Sequence, residues 1–568
     1  MAQLNVSRKK ISELLSNMQN KKFIIPDYQR PYKWDYDKCN ILWDDLENFY
    51  IENISNDKEY FLGTIVTCNT NDGLEIIDGQ QRITTLMLLL RAFYQHLNEM
   101  EPDPNVNGLK RQIEPCLWDI NSISQNVDDR SKIHIESKVA TKSDNEIFHN
   151  IIINGNFINS NSLYSSNYKY FYESSKEFAS NDPMQWYGFC VFVLNKSIIL
   201  PIECDEFETG LTIFSTLNDR GMPLSDSDIF KAQIYKNQCG NNKDDFITKW
   251  KNLYIEVGKS NITLDDIFRY YTHIIRAQNE DKSREIGLRA FYSENDYSIF
   301  KKNLDIVDEL QDIAEFWTQI YSSIFQNNSD NIHVNINIKS LQYLHCLYLY
   351  PNDYWKYIVS VFYFKNKNSI NFETEFTKFL EKLISFLFIK FIEKPTVNYI
   401  KDAIFKAYCD IWKGNISNIF KDIELKPEFK TYISMANNYK IARALILLKA
   451  YLFDSQNELI TSRFDVEHIL PTKWQDTNYN GWNKEDADNY IEKFGNKIAL
   501  ERQLNIQAGN GFFGKKKEKY SKSKIKEVVD LSKYSKNSDN WFKEDILERE
   551  KNFIDVIYNF FESSLKSS

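Results

Sequence analysis

The chain has 568 residues at a net charge of −9, with 15% aromatic and 26% charged residues; that is enough apolar material for several folded cores, and it excludes a disordered tail protein. The acidic balance excludes wholesale coating of nucleic acid and confines DNA contact to patches. Eight cysteines with no Cys-x-x-Cys pair exclude a disulfide framework and a cysteine metal cluster, and they fit a reducing cytoplasm. The N-terminus lacks an apolar run, and the most apolar stretch, residues 383–392, contains a lysine and is too short for a bilayer, so neither a secretory signal nor a membrane span is expected.

In chain order, the first stretch with chemistry is Tyr28-Gln29-Arg30-x-Tyr32-x-Trp34. Its π faces, guanidinium and amide suit base stacking and phosphate contact. The same groups could complete a nucleotide pocket, or Tyr32 and Trp34 could simply pack. Residues 60–67 read as a strand, residues 69–73 as a turn ending in Asp-Gly, and residues 74–77 as the return strand. Asp78-Gly79-Gln80-Gln81-Arg82 then runs straight into an apolar helix beginning at Ile83. A glycine-bearing loop at a strand–helix junction offers free backbone N–H groups and positive potential to an anion. Arg82 can add a bidentate phosphate contact, Asp78 can hold a metal or orient water, and Gln80 and Gln81 can position a nucleophile or read a base. No Gly-x-x-x-x-Gly-Lys is present, so this is not a Walker A loop. Taken alone, the loop reads equally as a phosphate site and as a hydrogen-bonded turn.

Residues 101–170, rich in Asn and Ser with prolines at 102 and 104, predict a partly loop-like insertion. Strand signals return at residues 197–204. After Asn218-Asp219-Arg220-Gly221-Met222-Pro223, Ser225 caps a helix with Asp228 in the capping-box position. From about 241 to 440 the pattern is helical. Phe376, Phe379, Leu380, Leu383, Ile384, Leu387, Phe388 and Phe391 recur at spacings of three and four, which is a core stripe, and Pro395 marks a stop. Residues 441–452 form another apolar helix, with Arg443 and Lys449 on its polar side.

Phe464-Asp465-Val466-Glu467-His468-Ile469-Leu470-Pro471 reads as a short strand and holds the only histidine after residue 345. Residues 496–500 predict a second strand, and a loop through 505–511 leads into a Lys-rich helix. Two strands and a helix around a divalent ion make a ββα-metal arrangement. In it a carboxylate and an amide oxygen hold Mg²⁺ or Mn²⁺, and a neutral imidazole takes a proton from water. The plainer alternative is a buried, hydrogen-bonded strand histidine. Structural zinc is excluded, since no cysteine follows Cys409. Residues 515–526 carry seven lysines to one glutamate, so Lys515, Lys516 and Lys517 read as a phosphate clamp or as a solvated helix face.

Residues 465–471 with Gly495-Asn496 and Asn505 resemble the HNH core of large RNA-guided CRISPR nucleases and of the C-terminal domain of GmrSD-type modification-dependent restriction enzymes. The resemblance implies that His468 is the general base and that Glu467 and Asn505 are metal ligands. It also implies that Asn496 supports catalysis by bracing the loop or the histidine, and leaves Asn510 competing with Asn505. Some relatives have aspartate where this chain has Glu467. The Asp78–Arg82 loop, with residues 25–34 before it, resembles the GmrSD N-terminal domain, which is similar to the ParB and sulfiredoxin nucleotide-binding fold. That implies an NTP site of Asp78, Gly79, Gln80, Gln81 and Arg82, completed by Gln29 and Arg30, with Asp78 serving hydrolysis; Asn218 and Arg220 are secondary candidates. Tyr28, Tyr32 and Trp34 are the matching DNA-contact candidates.

The expected architecture is therefore an α/β ParB/sulfiredoxin-like domain over residues 1–240, a helical spacer over 241–440, and an HNH nuclease domain within helices over 441–568. The implied protein is a cytoplasmic, NTP-regulated, Mg²⁺- or Mn²⁺-dependent endonuclease of anti-phage defence, as a monomer or a homo-oligomer. Its partners would be double-stranded DNA with modified bases and GTP, UTP or ATP, with no membrane. Three alternatives stay open: an SspE-like nickase stimulated by phosphorothioate marks on host DNA, a nucleotide-dependent DNA-binding regulator with an inactive core, and an RNase.

Overall fold

The computed structural model describes the chain apart from residues 1–3, 19–20, 55, 57, 159–160, 206–208, 211–212, 214–224, 239–241, 284, 304, 327–334, 397–398, 421–422, 477–480, 535, 537–538 and 567–568. It divides into two compact units, Met1–Asn237 and Gln238–Ser568.

The first unit is α/β. Its sheet comprises β1 (Leu4–Val6), β2 (Lys9–Lys10), β3 (Phe23–Ile25), β4 (Tyr60–Thr70), β5 (Gly73–Asp78), β6 (Ile135–Ser137) and β7 (Ser197–Cys204), in the order β1-β7-β4-β5-β3-β6 with β2 also on β7. β4 and β5 form the antiparallel hairpin read from the Asp-Gly turn, while β4–β7, β3–β5 and β3–β6 pair in parallel. Side chains alternate across the sheet, so Ile65 and Ile76 enter the main core, whereas Val66 and Ile77 join a small cluster on the other face. The main core is built around α3 (Gln80–Glu99), buried along nearly its whole length. Packed with it are α1 (Ile11–Ser16), α2 (Tyr36–Glu52), α4 (Pro104–Leu117), α5 (Lys142–Asn154), α6 (Leu163–Asn181) and α7 (Pro183–Asn195); α8 (Asp226–Asn237) ends the unit.

The expected partly loop-like insertion combines irregular stretches, such as residues 119–134, with helices. Pro104 sits in the first turn of α4, where its missing N–H costs nothing, and Asp103 caps the helix by accepting from the N–H groups of Asn105 and Val106. Val106, Leu109, Ile113 and Leu117 form the buried face of α4, and Ile135–Ser137 adds an edge strand.

Among the described residues the second unit is helical around one strand pair, β8 (Phe464–His468) and β9 (Lys497–Glu501), which run antiparallel with Glu467 opposite Ile498 and His468 opposite Lys497. The expected Phe/Leu stripe is the buried face of α9 (Phe372–Glu393). The expected apolar helix is α10 (Ala442–Tyr451), which packs on β9. Its polar side is divided between an exposed Arg443 and a buried Lys449. Arg443 donates to the Phe464 carbonyl (2.6 Å), and the buried Lys449 pairs with Glu527 (3.5 Å). Around the strands lie α11 (Lys484–Tyr490), α12 (Arg502–Ala508), α13 (Phe513–Tyr520) and α14 (Lys543–Lys566), the last packed on α9. Among the described residues, no helix is long and apolar enough to cross a membrane.

Candidate functional site

In the first unit β5 delivers Asp78 to the N-terminus of α3, and Gly79 makes the corner at φ +95°. A Cβ on Gly79 would stand 2.7 Å from Ile65 Cγ1, so the turn demands glycine both sterically and conformationally. Gln80 and Gln81 turn inward and are buried. Gln80 Nε2 donates to the Arg30 carbonyl (2.8 Å) and Gln81 Nε2 to the Pro31 carbonyl (3.1 Å). Gln81 Oε1 accepts from the N–H groups of Lys33 (2.7 Å) and Trp34 (3.2 Å). Gln29 Nε2 donates to the Ile77 carbonyl (2.8 Å). The three amides thus clamp the 29–34 segment beside the loop.

Asp78 and Arg82, both half-buried, are the charged groups left at the corner. Burial raises the Asp78 pKa, opposed by the Arg82 charge, the Gly79 N–H and Arg30. Burial lowers that of Arg82, against the pull of Asp78. Arg82 Nη1 donates to the Thr64 carbonyl (2.6 Å), and its guanidinium lies over Gly63, where an added Cβ would meet Nη2 at 3.0 Å. A guanidinium has five donors, so this anchor leaves capacity for an anion.

Tyr28 and Tyr32, expected to face DNA, are instead buried. Tyr28 donates to Glu75 Oε1, while the Tyr32 hydroxyl meets Thr85 Oγ1 (2.7 Å) and its ring stacks on Tyr164 at 4.8 Å. Trp34 is half-buried against the core. One functional candidate was missed. Lys231, buried on α8, donates to the carbonyls of Asp27 (2.6 Å) and Gln29 (3.4 Å), and burial pulls its pKa down to about 8. A lone lysine inside Ile229-Phe230-Lys231-Ala232 was the available signal. Asn218 and Arg220 lie outside the described residues.

In the second unit His468 closes β8. Its Nε2 is buried 3.4 Å from Glu492 Oε1, too poorly aligned for a full hydrogen bond, and among the described residues it has no other partner. Burial lowers the His468 pKa; Glu492 opposes this, while Lys497 and Lys516 reinforce it. Glu492 in turn pairs with Lys497 at 2.6 Å. Asn496 is fully buried. Its Nδ2 donates to the carbonyls of Leu470 (2.9 Å) and Ile491 (3.0 Å), and its Oδ1 accepts from Leu470 N–H (2.8 Å) and Trp541 Nε1 (3.2 Å). These four bonds tie the chain just after His468 to the turn before β9, so Asn496 braces and does not face a substrate. Gly495 has no room for a Cβ beneath Ile546 of α14.

Asp465 and Glu467, two apart on β8, share a face. Asn505 on α12 donates through Nδ2 to Asp465 Oδ2 (3.2 Å). Glu467 is buried, and its Oε1 accepts from Lys516 Nζ (2.7 Å) and the Tyr520 hydroxyl (2.8 Å). Burial raises the Glu467 pKa against the Lys516 charge and lowers that of Lys516 against Glu467. Lys516 Nζ also donates to the His468 carbonyl (2.7 Å). Of the expected lysine patch, Lys515 is exposed and Lys517 half-buried, while Lys516 is turned inward where no phosphate reaches it. Asn510 is exposed. Among the described residues no group of three or more His, Cys, Asp or Glu could enclose a metal. A carboxylate–amide pair with hard oxygen donors still fits a mostly hydrated Mg²⁺.

The family model described as the GmrSD restriction endonuclease N-terminal domain matches residues 11–235, and that for the C-terminal domain of GmrSD restriction endonucleases matches residues 420–556. Together they span more than half of the chain. No curated protein matches it.

Proposed function

Because the chain belongs to the GmrSD restriction endonuclease family, and so is a type IV defence enzyme that cuts DNA, we propose that cutting is metal-dependent HNH chemistry at the end of β8, licensed by an NTP at the Asp78–Arg82 loop. The observation that carries this is the His468 imidazole. It ends a strand with Nε2 in no well-aligned hydrogen bond among the described residues, and burial lowers its pKa and so favours the neutral form. A neutral imidazole with an unprotonated nitrogen can take a proton from an attacking water once substrate reaches it. Glu492 stands close enough to stabilise the imidazolium that results. Asn505 on α12 and a β8 carboxylate would hold the Mg²⁺ or Mn²⁺ ion. When bound, that cation stabilises charge on the phosphoryl and leaving oxygens. Asn496 and Lys516 fix the strand end, so His468 meets the phosphate in one orientation.

In the first unit the helix N-terminus, Gly79 and the remaining donors of Arg82 support triphosphate binding, with Asp78 orienting the water for hydrolysis. Gln29, Gln80 and Gln81 act on the nucleotide through the 29–34 backbone they hold. GTP, UTP and ATP all meet these chemical requirements. The DNA acted on is foreign and carries modified bases.

The test is a cleavage panel of plain, glucosylated-hydroxymethylcytosine and phosphorothioate DNAs and labelled RNA. Each substrate is run with and without each NTP and Mg²⁺, for wild type, Asp78→Ala and His468→Ala. Modified DNA should be cut only with Mg²⁺ and an NTP, and neither variant should cut. Cleavage by His468→Ala refutes the nuclease assignment, and wild-type behaviour of Asp78→Ala refutes the NTP licence. Stimulation by phosphorothioate DNA, or preference for RNA, overturns the substrate class.

A further inference from the structure

The chain is acidic overall, and Lys516 of the expected phosphate clamp is turned inward, so DNA phosphates need a basic patch elsewhere. A cleft of about 350 Å³ in the helical part of the second unit has that character. Its walls are residues 282–285 and the first turns of the helix Lys401–Trp412. Lys282 and Lys406 line it, exposed and, among the described residues, in no ion pair. Lys401 Nζ lies 2.9 Å from Glu285 Oε2, and Arg269 Nη1 lies 3.5 Å from Glu285 Oε1. One carboxylate thus gathers two cations and leaves a positive excess at the wall. Asp402, exposed at the mouth, is the opposing charge. The helix has 12 residues, and Ile400 at its N-cap offers no side-chain acceptor, so no side-chain cap quenches its positive end.

Behind Glu285, His273 is fully buried between the rings of Tyr357 and Phe405, with centroids at 3.9 and 5.7 Å. Its Nε2 stands 3.8 Å from Glu285 Oε1, about an ångström beyond a hydrogen bond. Among the described residues neither ring nitrogen has another hydrogen-bond partner. Burial pulls the His273 pKa down to about 4, so the ring is neutral and keeps one N–H to give. A buried donor held short of its acceptor is a cost that a ligand can recover. Independently of the metal and nucleotide readings, and resting only on the family's DNA cutting, we propose that this cleft binds a backbone phosphate of the DNA. Lys282, Lys406 and the helix N-terminus receive the phosphate, and Lys401 turns to it from Glu285. The carboxylate so released closes on His273. Apart from Ser283 the lining offers charge and the Phe405 ring, with no amide to read a base edge, which suits sequence-blind contact with the backbone.

The test measures binding of fluorescent duplex DNA to the full chain by anisotropy, in chelator and across a series of salt concentrations, beside thermal melting. The double variant Lys282→Gln/Lys406→Gln should lower the slope of log affinity against log salt by about one to two, equally on plain and modified duplexes. Its melting temperature should stay within about 2 °C of wild type, because both side chains are exposed. Asp402→Asn removes the opposing charge and should tighten binding about twofold to fivefold at low salt. An unchanged slope in the double lysine variant, or weaker binding by Asp402→Asn, overturns the proposal. Inorganic phosphate and each NTP are titrated in parallel by thermal shift. If the double lysine variant loses stabilisation by these while its DNA binding is intact, the cleft serves free phosphate and the proposal is likewise overturned.

Discussion

Replacing Lys516 by methionine separates a structural strut from a DNA clamp. The ammonium is fully buried, 2.7 Å from Glu467 Oε1 and 2.7 Å from the His468 carbonyl. Methionine keeps most of the volume and removes the charge, leaving a buried carboxylate with the Tyr520 hydroxyl and the His468 N–H but no counter-charge. Breaking one side of a buried pair costs about 3–5 kcal/mol. The unit spanning Gln238–Ser568 should unfold with an entropy near 0.7 kcal/mol per degree, from roughly 2 cal/mol/K per residue. The expected fall in melting temperature is therefore roughly 4–7 °C. Adding Glu467→Gln should recover most of it, because the two charges then leave together. Scanning calorimetry on the three variants measures both effects. The salt dependence of DNA binding supplies the opposing readout, since a lost phosphate contact lowers the slope by about one while a lost strut leaves it unchanged. A Lys516→Met protein that melts within about 1 °C of wild type and shows the reduced slope refutes the strut.

Three further outcomes follow from the same geometry. A base must be neutral to act, and burial lowers the His468 pKa from 6.5, so the acid limb of the kcat/KM profile should have its midpoint below 6.5; Glu492→Gln should move it lower still, and a midpoint above 6.5 contradicts the assignment. Asn496→Ala deletes four buried bonds and leaves Leu470 and Ile491 groups unpaired, so it should cost about 3–5 kcal/mol in denaturant unfolding; a loss under about 1 kcal/mol would remove its role as a brace. Gln81→Ala should destabilise the first unit by about 2–3 kcal/mol, whereas Asp78→Asn, which relieves a carboxylate whose pKa burial has raised, should hold or raise the melting temperature above the carboxylate range yet abolish nucleotide-induced stabilisation; equal melting of the two variants would contradict this division.

Local patterns carried much of the fold. The 60–78 hairpin, the 197–204 strand and the Phe/Leu stripe of α9 follow from side-chain period and turn chemistry and formed where they were read, while the helix expected from Ile83 begins earlier, at Gln80, so Gln80, Gln81 and Arg82 form its first turn. The 101–170 segment is partly loop, as its composition suggests, but the helix starting at Pro104 was not read because it depends on Asp103 capping it. At the sites, residue types were legible and partners were not. Lys516 sits in a lysine run that reads as solvated. Phe513, Lys516 and Tyr520 nevertheless recur at helical spacing on the buried face of α13, and that periodicity was the signal. Which amide holds backbone and which acid meets an ammonium depends on contacts between residues tens of positions apart, such as Gln81 with Lys33 or Glu467 with Lys516. Composition does not encode those contacts.

Hydrogen-bond capacity sorts the residues of both motifs into two roles. A buried polar group with all its bonds made has little left to offer a ligand, and removing it leaves its partners unpaired. Gln81, Asn496 and the Glu467–Lys516 pair are of this kind. Reaction requires unused capacity facing an approach. Among the described residues Arg82 has it in the donors beyond its bond to Thr64 and Asp465 in the oxygen that Asn505 does not engage, whereas His468 Nε2 is unbonded but buried, so the approach of a substrate has to uncover it. The same division predicts how variants should fail. Changes at the first group should lower stability and activity together, whereas changes at His468, Asp465 or Asp78 should remove activity from a protein that still folds. A motif residue that showed the other phenotype would have to move to the other role, whatever its place in the motif.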